Sequence, residues 1–474
     1  MTRLAWTFLR SAGWPRAALL AGTTALATAL LLVALTMLLL PSYPDEALFS
    51  LVAEPGLRWG TAFATALLVL PLLLMLNQVV RLGTATRERR LAGLRLAGAT
   101  PAEVRRIGAV EVGFPVTVGA MAGPVVFALL RELFGGQRLP TGRSYLDLRS
   151  TPALLPPSLT MALIPRSVTP AWWQIAAVVA VVAAAGIATS ALASRHLIVS
   201  PLGVSRRAQP PPPRPWGLLL LGAGLVAMAA AKLGVFGVIG VFGALRYPVM
   251  MAGILLVVLG TIALAPWVAF QSGQRVARRT SDPATLIAAG HLVSDPGPAG
   301  RAAAAVGAIG VVSGAAAVME LTVFLAPFVD PFFAISFALV GVALILVLLV
   351  TASSVAVHAA ESILDRRRVL AALVAAGTPV LVLRDSLRRE AMLTSMPLSV
   401  GGVLLGAVGS GGVGAVSGRV VTFQEGLTLV LPVLFVCAQV IVTVGLTWAA
   451  IRIAIGAVAP RLLRASAPAN LRTE

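Results

Sequence analysis

Long apolar runs separated by short arginine-rich stretches set the pattern of this chain. A helix needs about 20 apolar residues to cross a bilayer. Ten stretches meet or approach that length: Ala17–Leu40, Trp59–Val80, Val112–Leu130, Ala171–Ser194, Pro215–Ala231, Tyr247–Gln274, Ala302–Val323, Pro331–Val357, Ala391–Gly418 and Gly426–Ile451. Pro215–Ala231 is the shortest, with Lys232 placed to snorkel at its end. The runs are continuous and lack the period-two alternation of barrel strands. The pattern predicts an all-α polytopic membrane protein with about ten transmembrane helices.

Composition agrees: 58% of residues are hydrophobic, 12% are charged and the mean hydropathy is +0.93. An ordinary soluble domain carries about a quarter charged residues. The net charge is +19 over 474 residues, which in a soluble chain suggests nucleic acid. Here the basic residues sort by loop instead. With the N-terminus inside, the inner segments hold 28 Lys and Arg and the outer ones 9, as the positive-inside rule requires. The expectation is a multi-pass protein of the cell membrane with both termini cytoplasmic, contacting lipid and not nucleic acid. The first apolar run is too long for a signal peptide core. Thr2–Arg16 before it suits a helix lying on the inner membrane surface. Arg206–Arg214 is a proline-rich connector, and the basic tail Arg452–Glu474 is expected to fray.

The chain also repeats itself. One inner loop reads Arg87-Glu88-Arg89-Arg90-Leu91, then Leu94, Ala97 and Gly98, with Pro101 beyond. The other reads Arg366, Arg368, Leu370, Leu373, Ala376 and Gly377, with Pro379 beyond. Laying Gly98 on Gly377 also brings Arg105 onto Arg384 and Glu111 onto Glu390, each glutamate 13 residues past its glycine. The leucines at spacing three make one apolar stripe of a helix. The glycine ends it, and a second helix then enters the membrane at Glu111 or Glu390.

With its Leu-x-x-Leu-x-x-Ala-Gly segment after an arginine-rich start and its later glutamate, the sequence resembles the FtsX-like permease family, membrane subunits of ABC transporters. The resemblance covers Trp59–Ser194 and Pro331–Arg452. Two modules and ten spans on one chain look most like the bacitracin-resistance type; macrolide exporters belong to the same group. The resemblance implies that each loop is a coupling helix sitting on an ATPase subunit. It would involve Arg87, Glu88, Arg89, Arg90, Leu91, Leu94, Gly98 and Glu111 in one copy, and Arg366, Arg368, Leu370, Leu373, Gly377 and Glu390 in the other. Arg90 and Val369 stand where the family often has glutamate, and no outer loop is long enough for the large extracytoplasmic domain usual in the family. The implied organisation is an N-terminal half over 1–200 (module 59–194), a connector with spans five and six over 201–275, and a C-terminal half over 276–474 (module 331–452).

No phosphate-binding loop of the type Gly-x-x-x-x-Gly-Lys-Ser/Thr occurs. ATP and Mg would therefore belong to a separate ATPase, two copies per permease, and this chain would carry no cofactor and no enzymatic activity. A single cysteine, Cys437, excludes a disulfide framework, and His196, His291 and His358 read as residues of span ends rather than metal ligands. Glu320, the carboxylate inside an apolar run, falls near the outer end of span seven, a solvated helix end or a substrate contact. The glycines of span nine, Gly401 to Gly412, allow close helix approach. The expected function is ATP-driven outward movement of a hydrophobic or amphipathic substrate. The alternatives are a membrane regulator that transmits ATPase motion and, with few ionisable residues in the spans to favour it, an ion-coupled secondary transporter.

Overall fold

The computed structural model describes residues 14–42, 44, 46–81, 98, 100–135, 137–138, 162–194, 212–232, 245–324, 331–410, 425–465 and 467. The protein is an all-α polytopic membrane protein. Nine helical stretches among the described residues, Pro55–Arg81 counted as one, are long and apolar enough to cross a membrane. The chain divides into two compact units, Met1–Val204 and Ser205–Glu474.

The first unit contains α1 (Trp14–Leu39), a short α2 (Ser50–Ala53), α3 (Pro55–Leu67), α4 (Val69–Arg81), α5 (Pro101–Phe134) and α6 (Trp172–Ser194). The expected second span is thus two consecutive helices. Pro71 explains the break: its ring opposes the carbonyl four residues back, that of Leu67, where α3 ends. α1 packs against α3, α4, α5 and α6. Its buried threonines stay hydrogen-bonded within the helix, Thr24 to the Leu20 carbonyl (2.9 Å) and Thr28 to that of Thr24 (2.9 Å). That lets hydroxyls face a bundle interior without water. At the far end of the unit two-residue strands, β1 (Glu46–Ala47) and β2 (Gln137–Arg138), pair antiparallel. Buried Arg58 donates to the carbonyls of Leu40 (2.6 Å), Val52 (2.8 Å) and Ala53 (2.7 Å), which lie at or beyond helix ends. The described end of the long outer segment has no core of its own; Ala162 and Ile164 join the one built on Leu32, Met37 and Val52.

The second unit contains α7 (Trp216–Lys232), α8 (Arg246–Ala277), α9 (Pro283–Ser294), α10 (Pro296–Phe324), α11 (Pro331–Asp365), α12 (Arg367–Ala375), α13 (Val380–Gly409) and α14 (Glu425–Ala465). α10 packs against α11, α13 and α14, so it takes the place that α1 has in the first unit. α5 and α13 correspond, as do α6 and α14. The repeat therefore extends beyond the three-span modules of the sequence reading to four-span units. Its register holds deep in the membrane. Gly123 and Gly402, each 25 residues past the aligned glycines, abut α1 and its counterpart α10. A Cβ on Gly123 would run into Thr28, and one on Gly402 into the Gly307 carbonyl. Gly406 lies equally close, whereas Gly401 faces open space.

Two features differ from expectation. α7 and α8 form a hairpin that packs onto α10 and α13 through Leu221, Val257 and Val311, inside the second unit rather than as a separate connector. The expected frayed tail is helical as far as Ala465, because Ile455, Val458 and Leu462 recur on one face and are buried.

Candidate coupling site

The two aligned glycines have nearly the same backbone. Gly98 has φ +95° and Gly377 φ +94°, and they are the only positive-φ glycines among the described residues. Left-handed geometry of this kind favours glycine because a Cβ is strained there. At the second copy the reason is visible. α12 ends with Gly377 N–H donating to the Val374 carbonyl (2.9 Å) and Thr378 N–H to that of Leu373 (2.9 Å). These bonds use carbonyls that the last helical turn leaves open. α5 and α13 then both start three residues past their glycine. α5 has a reciprocal cap: Thr100 Oγ1 accepts from Glu103 N–H (3.3 Å), and Glu103 accepts from Thr100 N–H (2.8 Å).

Each second helix carries its glutamate into the bundle, where it meets a base from another helix. In the first unit Arg16 of α1 is 7% exposed. Its Nη1 donates to Glu111 at 3.0 Å, and its Nε and Nη2 donate to the carbonyls of Val79 (3.2 Å) and Val80 (2.8 Å). Those carbonyls lie in the last turn of α4, the negative end of that helix. One guanidinium thus ties α1, α4 and α5 together. In the second unit Glu390 is buried and lies 2.8 Å from His291 Nδ1 on α9, 3.6 Å from His358 Nε2 on α11 and 3.9 Å from Arg366 Nη1 at the start of α12. Arg366 Nη2 also sits against the His291 ring. With the ring proton on Nδ1, His291 donates to Glu390 while Nε2 accepts from Arg366. Burial lowers Arg366 from the usual guanidinium range, opposed by Glu390, Asp295 and Asp365. A cavity of about 20 Å³ adjoins Glu390, lined in part by Ala302, His358, Ser362 and Ser395. It has space for one water.

α9 is held to α13 a second time. Asp282 caps α9 through Thr285 N–H (2.8 Å) and also contacts Arg389. The Thr285 hydroxyl, followed by its N–H, holds the Asp282 carboxyl below the ordinary range.

Among the residues expected here from sequence, Arg87, Glu88, Arg89, Arg90, Leu91 and Leu94 lie outside the described residues. Glu111 and Glu390 each become the hub of a polar cluster, and Arg366 joins the second one. Leu370 and Leu373, expected on a partner's surface, pack inward beside Ala360, Ile363, Leu383 and Leu462. The outer face of α12 shows Arg368, Val369 and Ala372. Glu320 sits near the end of α10, half-buried, with no ion pair among the described residues. Sequence reasoning missed Arg16, His291 and His358 as partners of the two glutamates. The available clue for Arg16 and His291 was a basic residue at the start of α1 and shortly before its counterpart α10; His358, late in α11, gave none. No group of three or more metal-ligating side chains is found among the described residues.

Residues 62–202 match the family model of the FtsX-like permease C-terminal domain. The chain carries an FtsX-like permease domain. The matched stretch runs from α3 past α6 and includes the first glycine, Glu111 and the arginine-rich sequence that follows α4. The second copy, with α12 and Glu390, lies outside it. No curated protein and no solved structure matches the chain. An FtsX-like permease domain marks a membrane permease of the ABC transporter type.

Proposed function

We propose that this FtsX-like permease is the membrane subunit of an ABC transporter, with a separate ATPase docking on both arginine-rich segments. The observation that carries the reading is the paired construction: a left-handed glycine, a helix starting three residues later, and a carboxylate 13 residues on, buried at Glu390 and partly buried at Glu111, that latches this helix to its unit. A segment pushed from the cytoplasm would move with the bundle, because Arg16–Glu111 joins α5 to α1 and α4, and the His291–Glu390–Arg366 cluster joins α13 to α9 and the start of α12. The ATPase would hold ATP and Mg. Both termini would be cytoplasmic, in keeping with the arginine distribution.

The cargo on this reading is hydrophobic or amphipathic and moves outward. The spans are almost free of ionisable groups, and the most apolar stretch of α11 has a mean hydropathy of 3.0. Apolar ligands bind by area removed from water and need no charged constellation. The test is the ATPase activity of the reconstituted permease–ATPase complex. Stimulation by amphipathic peptides or lipids, and not by sugars or amino acids, is expected. Stimulation by the polar set alone would overturn the cargo class.

A further inference from the structure

One aromatic ring in the second unit carries two cations. Trp448 lies on α14, and the guanidinium of Arg452, one turn on, stands 4.6 Å from its ring centroid. The guanidinium of Arg388, from the neighbouring α13, stands 5.5 Å from the same centroid. Cation–π attraction holds each cation to the ring but does not cancel its charge. Both fall within about one screening length of each other, ~10 Å, so they repel. Among the described residues neither has a carboxylate partner. Arg388 Nε is moreover buried with no hydrogen-bond acceptor. A donor of that kind costs free energy until an acceptor reaches it.

The surroundings select the acceptor. Trp448 is 38% exposed on a helix otherwise apolar enough to span a bilayer. The charge-free run of α14 that starts at Gly426 ends at Ile451, so Trp448 and Arg452 stand together where it gives way to charge, and such a pair marks the headgroup level. The anion available at that depth, beside an exposed apolar helix, is the phosphate of a lipid. We infer that Arg388, Trp448 and Arg452 form a binding site for the phosphate of an anionic phospholipid, whose acyl chains lie along α14. The site needs only that α14 crosses the membrane; it does not depend on what the permease transports.

The test is native mass spectrometry of the purified full-length protein titrated with phosphatidylglycerol or with phosphatidylcholine of the same acyl chains. The wild type should retain phosphatidylglycerol preferentially. Retention should fall roughly five-fold for each arginine removed in Arg452→Gln and in the double variant Arg388→Gln/Arg452→Gln. Arg452 is exposed and its single variant is expected to fold; an unchanged thermal melting curve checks this. Equal phosphatidylglycerol retention by the folded Arg452→Gln protein would overturn the site. So would equal retention of the two lipids by the wild type, or full displacement of phosphatidylglycerol by inorganic phosphate.

Discussion

Glu111 and Glu390 occupy one position of the repeat, yet their partners differ in kind. Arg16 holds Glu111 with a permanent charge and also caps α4. Removing one member of a buried pair leaves a charge in a poor solvent, at a cost of about 3–5 kcal/mol, whereas replacing both members by apolar groups is often near neutral. Arg16→Met should therefore lower the melting temperature in detergent strongly, and Arg16→Met/Glu111→Leu should recover part of the loss. A double variant as unstable as the sum of its singles would show that the two residues do not act as a pair. Sequence spacing alone marked both glutamates and both glycines, because they sit at fixed distances along one segment. Arg16, His291 and His358 were not legible as their partners. They approach from other helices, and which side chains meet there is decided by tertiary packing.

At the scale of elements, α12 has two faces with different duties. Leu373 joins the cluster of Ile363, Leu383 and Leu462, while Val369 is 59% exposed. The apolar stripe decided neither direction by itself, since it fits a helix docked on its own bundle as well as one docked on a partner. Leu373→Asp should destabilise the permease itself, by several kcal/mol for a charge placed among apolar side chains. Val369→Asp should leave the melting curve unchanged and reduce ATPase recovery on co-purification. The reverse pattern would assign the faces the other way. The small residues of α13 were legible as a close-packing surface, and Gly402 and Gly406 do abut α10. The division of the second span into α3 and α4 was not, because Pro71 lies in an otherwise unbroken apolar run.

The whole molecule is built from two units of like construction, the second enlarged by the α7–α8 hairpin and α9. The apolar runs revealed nearly all of the long helices, since a membrane span must satisfy its own backbone and cannot be short. The extent of α14 was hidden by its arginines, which lie on a helix whose other face is buried. For ten spans with both termini inside, reporter fusions at Tyr145 and at Gln209 should report opposite sides of the membrane. The same side for both would break the span assignment.

The central claim is that α12 presents its outer face to an ABC ATPase. A photo-crosslinking amino acid at Ala372, exposed on that face, tests it most directly in intact cells, with the same probe at Leu349 of α11 as a membrane-facing control. The account predicts a covalent adduct from position 372, absent from position 349, whose captured protein contains a Gly-x-x-x-x-Gly-Lys-Ser/Thr nucleotide-binding loop. A folded, membrane-inserted permease that yields no such adduct from position 372 would contradict it.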